Sequence, residues 1–218
     1  MYKVFEDRHD AGRALVPEIQ RCDLKNPIIL GLPRGGVPLA YEVAIALKAP
    51  LDTIVVRKLG APFQPELAIG AIASGDVHVL NEAIVRSLEI DAASIAEIVA
   101  RESAELKRRE QQYRGDRPYP DLAQYDVVLV DDGLATGATM RAAVEAVQSM
   151  SPSTLTVAVP TGSISAVRKV AALVDRVICL ESPAEFSAVG QFYHNFAQTT
   201  DEEVRELLEQ ARKVHVDK

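Results

Sequence analysis

Residues 127–139, VVLVDDGLATGAT, concentrate groups that can do chemistry. Four aliphatic side chains, Val127 to Val130, spell a buried strand that delivers Asp131 and Asp132 to its carboxyl end, where sheet pairing stops and side chains can meet a ligand. Side chains alternate between the faces of a strand, so both acids serve one site only if the backbone bends, and Gly133 is placed to allow that. Ala135, Thr136, Gly137, Ala138 and Thr139 then form a short loop that opens a helix. They offer a row of backbone N–H groups, two hydroxyls and the positive end of a helix dipole, which together make a seat for a phosphate dianion. Acids a few residues from such a nest suit a sugar phosphate: carboxylates accept from sugar hydroxyls while amides hold the phosphate. A lone DD or TG would mean only a turn and a capped helix; the joined string carries the chemistry.

The elements that must position this segment are legible around it. Val- and Ile-rich runs recur at 27–30, 51–56, 126–130, 154–160 and 177–180, each closed by Gly, Pro, Asp or a charge. Stretches at 36–47, 138–150 and 163–173 read as helices between them. Strand and helix in alternation predict an α/β fold, an open and mainly parallel sheet with helices on both faces and ligands at the strands' carboxyl ends. Two segments interrupt the rhythm. Residues 57–75 carry repeated Gly and Pro and predict a long mobile excursion or hairpin, and 91–113 predict a helix opened by Ser94 and Glu97 at capping-box spacing, with Glu97–Arg101 and Glu105–Arg109 pairs. Lys107, Arg108 and Arg109 read as a solvated helix face balanced by nearby Glu residues.

Composition narrows the function classes. The 218 residues suit one generous domain, and 48% hydrophobic with 25% charged residues is globular composition. With 24 Lys and Arg against 31 Asp and Glu the net charge is −7, the wrong sign for a protein that embraces a phosphodiester backbone, so nucleic acid is not an expected partner. Cys22, Cys179 and four scattered histidines supply neither a disulfide framework nor a structural zinc site. The first residues are charged without an apolar leader core, and no run of about 18 apolar residues occurs, so a cytoplasmic protein without a membrane partner is expected.

The 127–139 string resembles the phosphoribosyl pyrophosphate (PRPP) binding motif of type I phosphoribosyltransferases almost position for position. That resemblance implies one domain over 1–218, with a core at about 24–180, a mobile loop at about 57–75, a hood at about 181–200 and a C-terminal helix to about 216. Residues 29–44, ILGLPRGGVPLAYEVA, resemble the family's pyrophosphate loop. There Gly35 and Gly36 would permit close backbone approach, Arg34 would add charge, and a strained peptide bond, in that family sometimes cis without proline, is expected near Arg34. Arg57 and Lys58 in VVRKLGAP are similar to the RK pair of adenine phosphoribosyltransferases, which implies contact with the leaving pyrophosphate, and Glu66 in PELAIG resembles that subfamily's loop glutamate. Phe186, Phe192, Tyr193 and Phe196 fall where the hood recognises a base, and two readings are open: stacking on a base, with Phe192 and Tyr193 the candidates, or packing of the hood onto the sheet.

The implied reaction is a transfer of ribose 5-phosphate from PRPP to a nitrogen base with loss of pyrophosphate. Mg²⁺ is the implied cofactor, held mainly by substrate oxygens, and no direct protein metal ligand is assigned. Asp131, Asp132 and Glu66 are the candidate catalytic residues, and assembly into a homo-oligomer is left open. The family's 6-oxopurine branch carries an Asp at the third position after the two acids; this chain has Ala135, which points away from hypoxanthine and guanine. Two other readings stay open: a PRPP-sensing regulator on the same fold without efficient catalysis, and a sugar-phosphate hydrolase or phosphorylase on a similar sheet.

Overall fold

The computed structural model describes residues 2–75 and 77–216, and its side-chain description leaves out 65, 66, 215 and 216. In chain order the elements are α1 (Arg8–Gln20), β1 (Pro27–Gly31), α2 (Gly36–Leu47), β2 (Leu51–Thr53), β3 (Val56–Ala61), β4 (Gln64–Ala73), β5 (Val77–Leu80), α3 (Glu82–Ser87), α4 (Ala92–Arg114), β6 (Asp126–Val130), α5 (Ala138–Ser149), β7 (Thr154–Thr161), α6 (Ile164–Ala171), β8 (Arg176–Glu181) and α7 (Asp201–Val216). Short 3₁₀ turns lie at Leu122–Gln124 and Val189–Phe192.

The aliphatic runs form one parallel sheet in the order β2-β1-β6-β7-β8. Alternation sorts its side chains onto two faces. Ile29, Val128 and Val130 pack with α1, α2 and α7; Ile28, Leu30, Val127 and Leu129 pack with α5 and α6. All four residues of β6 that lead to Asp131 are fully buried, so this central strand is a fixed support for the two acids beyond it.

Two expectations change, and a third resolves to one of its alternatives. The run at 51–56 is not one strand. It breaks at Ile54 and Val55, where Val55 exchanges backbone and side-chain bonds with Ser74, and the chain leaves the parallel sheet for a separate antiparallel one, β3-β4-β5. The 57–75 stretch is the hairpin of the two forms expected for it, and one of its glycines serves close packing: a Cβ on Gly70 would sit 2.3 Å from the Val79 carbonyl oxygen. Helix α4 is capped by Asp91, whose carboxylate accepts from the Ser94 N–H at 2.9 Å, not by Ser94; Arg101 pairs with Glu102 at 3.2 Å instead of Glu97, while Glu105–Arg109 forms at 2.8 Å.

Helix α1 had no counterpart in the sequence reading. Asp7 caps it by accepting from the Asp10 N–H at 2.8 Å, and Ala11, Leu15 and Ile19, at i, i+4 and i+8, lie fully buried against α2 and the sheet. Pro17 inside it hid the pattern. The N-terminal residues ahead of α1 run beside the hood: the Phe5 N–H donates to the Phe192 carbonyl at 2.8 Å, and the His194 N–H returns to that of Phe5 at 2.9 Å.

At the far edge, Arg114 of α4 donates from Nε and Nη2 to the two oxygens of Asp52 at 2.8 and 2.9 Å, both residues buried, with the Tyr119 ring 4.5 Å from the guanidinium. Removing one member of a buried pair strands the other charge in low dielectric. Asp52→Ala should cost about 3–5 kcal/mol in urea unfolding; a loss below about 1 kcal/mol would show that the edge of the sheet does not depend on this pair.

Candidate active site

The carboxyl ends of β1 and β6 lie side by side, with Gly31 opposite Val130. Beyond them the Pro33–Arg34 peptide is cis, and Gly35 and Gly36, which follow it, lie on the two acids. A Cβ on Gly35 would fall 2.1 Å from Asp132 Oδ2, and one on Gly36 would fall 2.5 Å from the Val130 carbonyl oxygen and 3.2 Å from Asp131 Oδ1. No side chain fits at either place. The bend that the sequence required is thus present: Asp131 Oδ1 folds back to accept the Asp132 N–H at 2.9 Å, and both carboxylates meet the same two-glycine turn. The Gly36 N–H is committed to the Leu32 carbonyl at 2.9 Å, so Gly36 contributes close approach and not an amide for a diphosphate.

Asp132 is held from three sides. Arg8 Nε and Nη2 both donate to its Oδ2, at 3.0 and 2.8 Å; the Tyr193 hydroxyl donates to its carbonyl oxygen at 2.7 Å; Gly35 closes the third side. Burial, with the Asp132 charge second, raises the Asp131 carboxyl well above the ordinary carboxylate range. Burial also raises Asp132, against the pull of the Arg8 hydrogen bonds and charge.

The hood aromatics do not offer the platform expected of them. Phe192 is 0% exposed and stacks on Phe186 at 5.5 Å, and Tyr193 is 6% exposed between Phe5 and Phe196. Packing of the hood onto the N-terminal ribbon takes up these rings, which removes Phe192 as a base-stacking residue and leaves Tyr193 its hydroxyl contact. Phe196 is 38% exposed, yet Arg8 lies over its ring at 4.0 Å and Tyr193 is 4.9 Å from it.

The loop after the acids has the features that the anion-seat expectation asks for. Gly137 takes φ +76, a left-handed conformation that excludes most side chains, and it caps α5 without a side chain of its own, while the Thr136 hydroxyl accepts from the Ala138 N–H at 3.4 Å. Thr136, Ala138 and Thr139 are exposed, and Ala135 is exposed with its carbonyl fixed by the Ser163 hydroxyl at 2.7 Å. Lys58 joins this end, lining with Ala138 and Thr139 a pocket of about 110 Å³. Arg57 does not: its Nε and Nη2 donate to Glu102 of α4 at 3.0 and 2.6 Å. Arg34, partly exposed, leans toward α7, with Nη1 3.9 Å from Asp201, which also accepts from the Tyr113 hydroxyl. Glu66 lies in β4, and its side chain is outside the described residues.

A family model described as a phosphoribosyl transferase domain matches residues 5–197. The chain belongs to the phosphoribosyl transferase family. Two Mycobacterium tuberculosis proteins, from strains CDC 1551 and H37Rv and each provisionally named a phosphoribosyl transferase, are 47% identical to this transferase domain over 211 residues. The match covers 97% of this chain and 48% of theirs, so the chain spans about half the length of these curated relatives. The crystal structure of a Thermus thermophilus protein, TT1426, superposes on it with a TM-score of 0.87 at 42% identity, covering 95% of this chain and 98% of that one.

Arg8 is the residue of this candidate site that the sequence reading missed. The available cue was an arginine at the first position of an Asp-capped helix, the end where a cation is least favoured. The packing of Gly35 yields a direct test. Gly35→Ala should force Asp132 from Arg8 and cost about 1–3 kcal/mol, as overpacking does, lowering the thermal midpoint by about 2–4 °C per kcal/mol. A midpoint within about 1 °C of the unmutated protein would show that the turn yields freely.

Proposed function

We propose that the chain transfers the 5-phosphoribosyl group of PRPP to a nitrogen acceptor. The observation that supports this most is the meeting of two carboxylates with a glycine turn at the ends of β1 and β6, a few residues ahead of the exposed start of α5. In the proposed reaction the anomeric carbon–oxygen bond breaks, its electron pair leaves with pyrophosphate, and the acceptor's nitrogen lone pair forms the new carbon–nitrogen bond. Positive charge develops on the sugar as the polyanion departs.

Each group has a share in that proposal. The 5-phosphate sits on the amides and hydroxyls of Thr136 to Thr139. Asp131 accepts from the ribose hydroxyls and stabilises the cationic sugar, and Oδ1 of Asp132, the oxygen that Arg8 does not take, does the same. Arg34 and Lys58 face the diphosphate charge, while Arg57 must exchange Glu102 for it to take part. Two adjacent carboxylates fit the small protein share of a magnesium site, since that ion keeps several waters and substrate oxygens; Asp131 and Asp132 would hold it through water. Bound there, magnesium would screen the diphosphate and favour its departure.

A PRPP-sensing regulator is the second reading, and the burial of Phe192 and Tyr193 favours it, because packing takes up the two rings expected to stack on a base. Pyrophosphate release from PRPP and magnesium, screened with hypoxanthine, guanine, adenine, orotate, uracil and ammonia, separates the two. Release with one acceptor supports the transferase, and tight PRPP binding with no release supports the sensor. Ala135 has no proton to exchange with a purine ring nitrogen, so hypoxanthine and guanine should stay below a kcat/KM of about 10⁴ M⁻¹s⁻¹; faster turnover would overturn that assignment.

The raised Asp131 fixes the sign of the pH dependence. Its neutral form accepts poorly from a ribose hydroxyl, so affinity for ribose 5-phosphate should climb as pH rises and the carboxyl loses its proton. Asp131→Asn should flatten that climb and lower turnover by about 10²-fold. An Asp131→Asn protein with the original pH profile, measured by calorimetry, would remove Asp131 from the ribose.

A further inference from the structure

Arg8 has features that neither helix stability nor substrate binding explains. It occupies the first position of α1, where the helix dipole disfavours a cation, and its side chain is only 12% exposed. All three of its nitrogens are engaged: Nε and Nη2 with Asp132 Oδ2, and Nη1 with the Ala197 carbonyl at 2.6 Å. Phe196 covers one face of the guanidinium at 4.0 Å. A Cβ on Gly35 would stand 3.2 Å from Nε, so the turn after β1 is seated on the same group. Three of its five N–H donors are thus spent inside the chain, and through them and its flat face it touches the acid, the turn and the hood.

We propose that Arg8 is a positioning residue: by taking Asp132 through Oδ2 alone it leaves Oδ1 to face the ribose, and it locks that setting to the hood through Ala197 and Phe196. This rests on the reading of Asp131 and Asp132 as ribose acceptors. Only a planar guanidinium can satisfy the geometry, because one rigid fork must send parallel donors to a single carboxylate oxygen, a third donor to a carbonyl in another segment, and a flat face to a ring. A lysine ammonium can keep the bond to Oδ2 and loses the other two contacts. An uncharged glutamine loses the charge as well, and frees Asp132 to rotate.

The test uses the full chain and two probes by calorimetry: ribose 5-phosphate, which needs both the anion seat and the acids, and inorganic phosphate, which needs the seat alone. Arg8→Gln should weaken ribose 5-phosphate by about tenfold or more, as misplacement of a binding group does, and leave inorganic phosphate within about twofold. Arg8→Lys should recover part of the loss. Added to Asp132→Asn, Arg8→Gln should cost little more, since both remove one interaction. Hydrogen exchange in residues 193–197 should rise in Arg8→Gln and fall back toward the original in Arg8→Lys. If the unmutated chain binds phosphate but gains nothing from the ribose, the assignment of the acids fails and this inference with it. If ribose 5-phosphate binds well and Arg8→Gln binds it equally well, the inference alone fails. Equal loss of both probes also overturns it, by showing that Arg8 merely supports the fold.

Discussion

One ion pair, Arg8 with Asp132, holds together parts of the chain that are 124 residues apart in sequence. Around it meet the first turn of α1, the glycine turn after β1, the acids after β6 and the segment after β8. Each of these is a connection outside regular pairing, and such connections are the mobile parts of a fold. The parallel sheet supplies rigid strand ends but cannot by itself fix the segments that extend past them. A partly buried charge pair can, because neither partner leaves cheaply once solvent is excluded. The Tyr193 hydroxyl on the Asp132 carbonyl adds a neutral bond at the same point, so side chain and backbone of the acid are restrained by different elements.

The site is unusual in how completely its charges are matched before any ligand arrives. Arg8 has Asp132, Arg57 has Glu102, and Arg34 leans on Asp201, whose carboxyl is held below its ordinary range chiefly by the Tyr113 hydroxyl. In a chain of net charge −7 these internal counter-ions keep the cations ordered. They also mean that a polyanion gains only the difference between its own contacts and those it displaces. Specificity for a ligand with the right spacing of phosphate and hydroxyl groups follows from such exchange better than from an open basic patch.

Much of this was legible in the sequence, and the reasons are physical. Parallel strands buried on both faces read as uninterrupted aliphatic runs, which is why β1, β6, β7 and β8 emerged close to their true bounds. The string from Val127 to Thr139 was legible because its strand, acids and helix start are contiguous. The break at Ile54 and Val55 was not, since both residues are buried and apolar whether the strand continues or changes sheet. Helix α1 was masked by Pro17, and with it Arg8. The hood stayed open to two readings for another reason: composition announces aromatic rings but not which faces stay open, and here the N-terminal ribbon and neighbouring rings cover Phe192 and Tyr193.

The covered rings have one more consequence, in optics. The sequence contains no tryptophan, so its near-ultraviolet spectrum belongs to six tyrosines and five phenylalanines. Tyr193 is fixed between Phe5 and Phe196 with its hydroxyl bound to the backbone of Asp132. A phenol locked in such an asymmetric stack is a strong circular-dichroism chromophore, whereas freely rotating surface tyrosines contribute little. The protein therefore carries an intrinsic, label-free reporter one hydrogen bond away from its acids, tuned to the ordering of the very segment that encloses them.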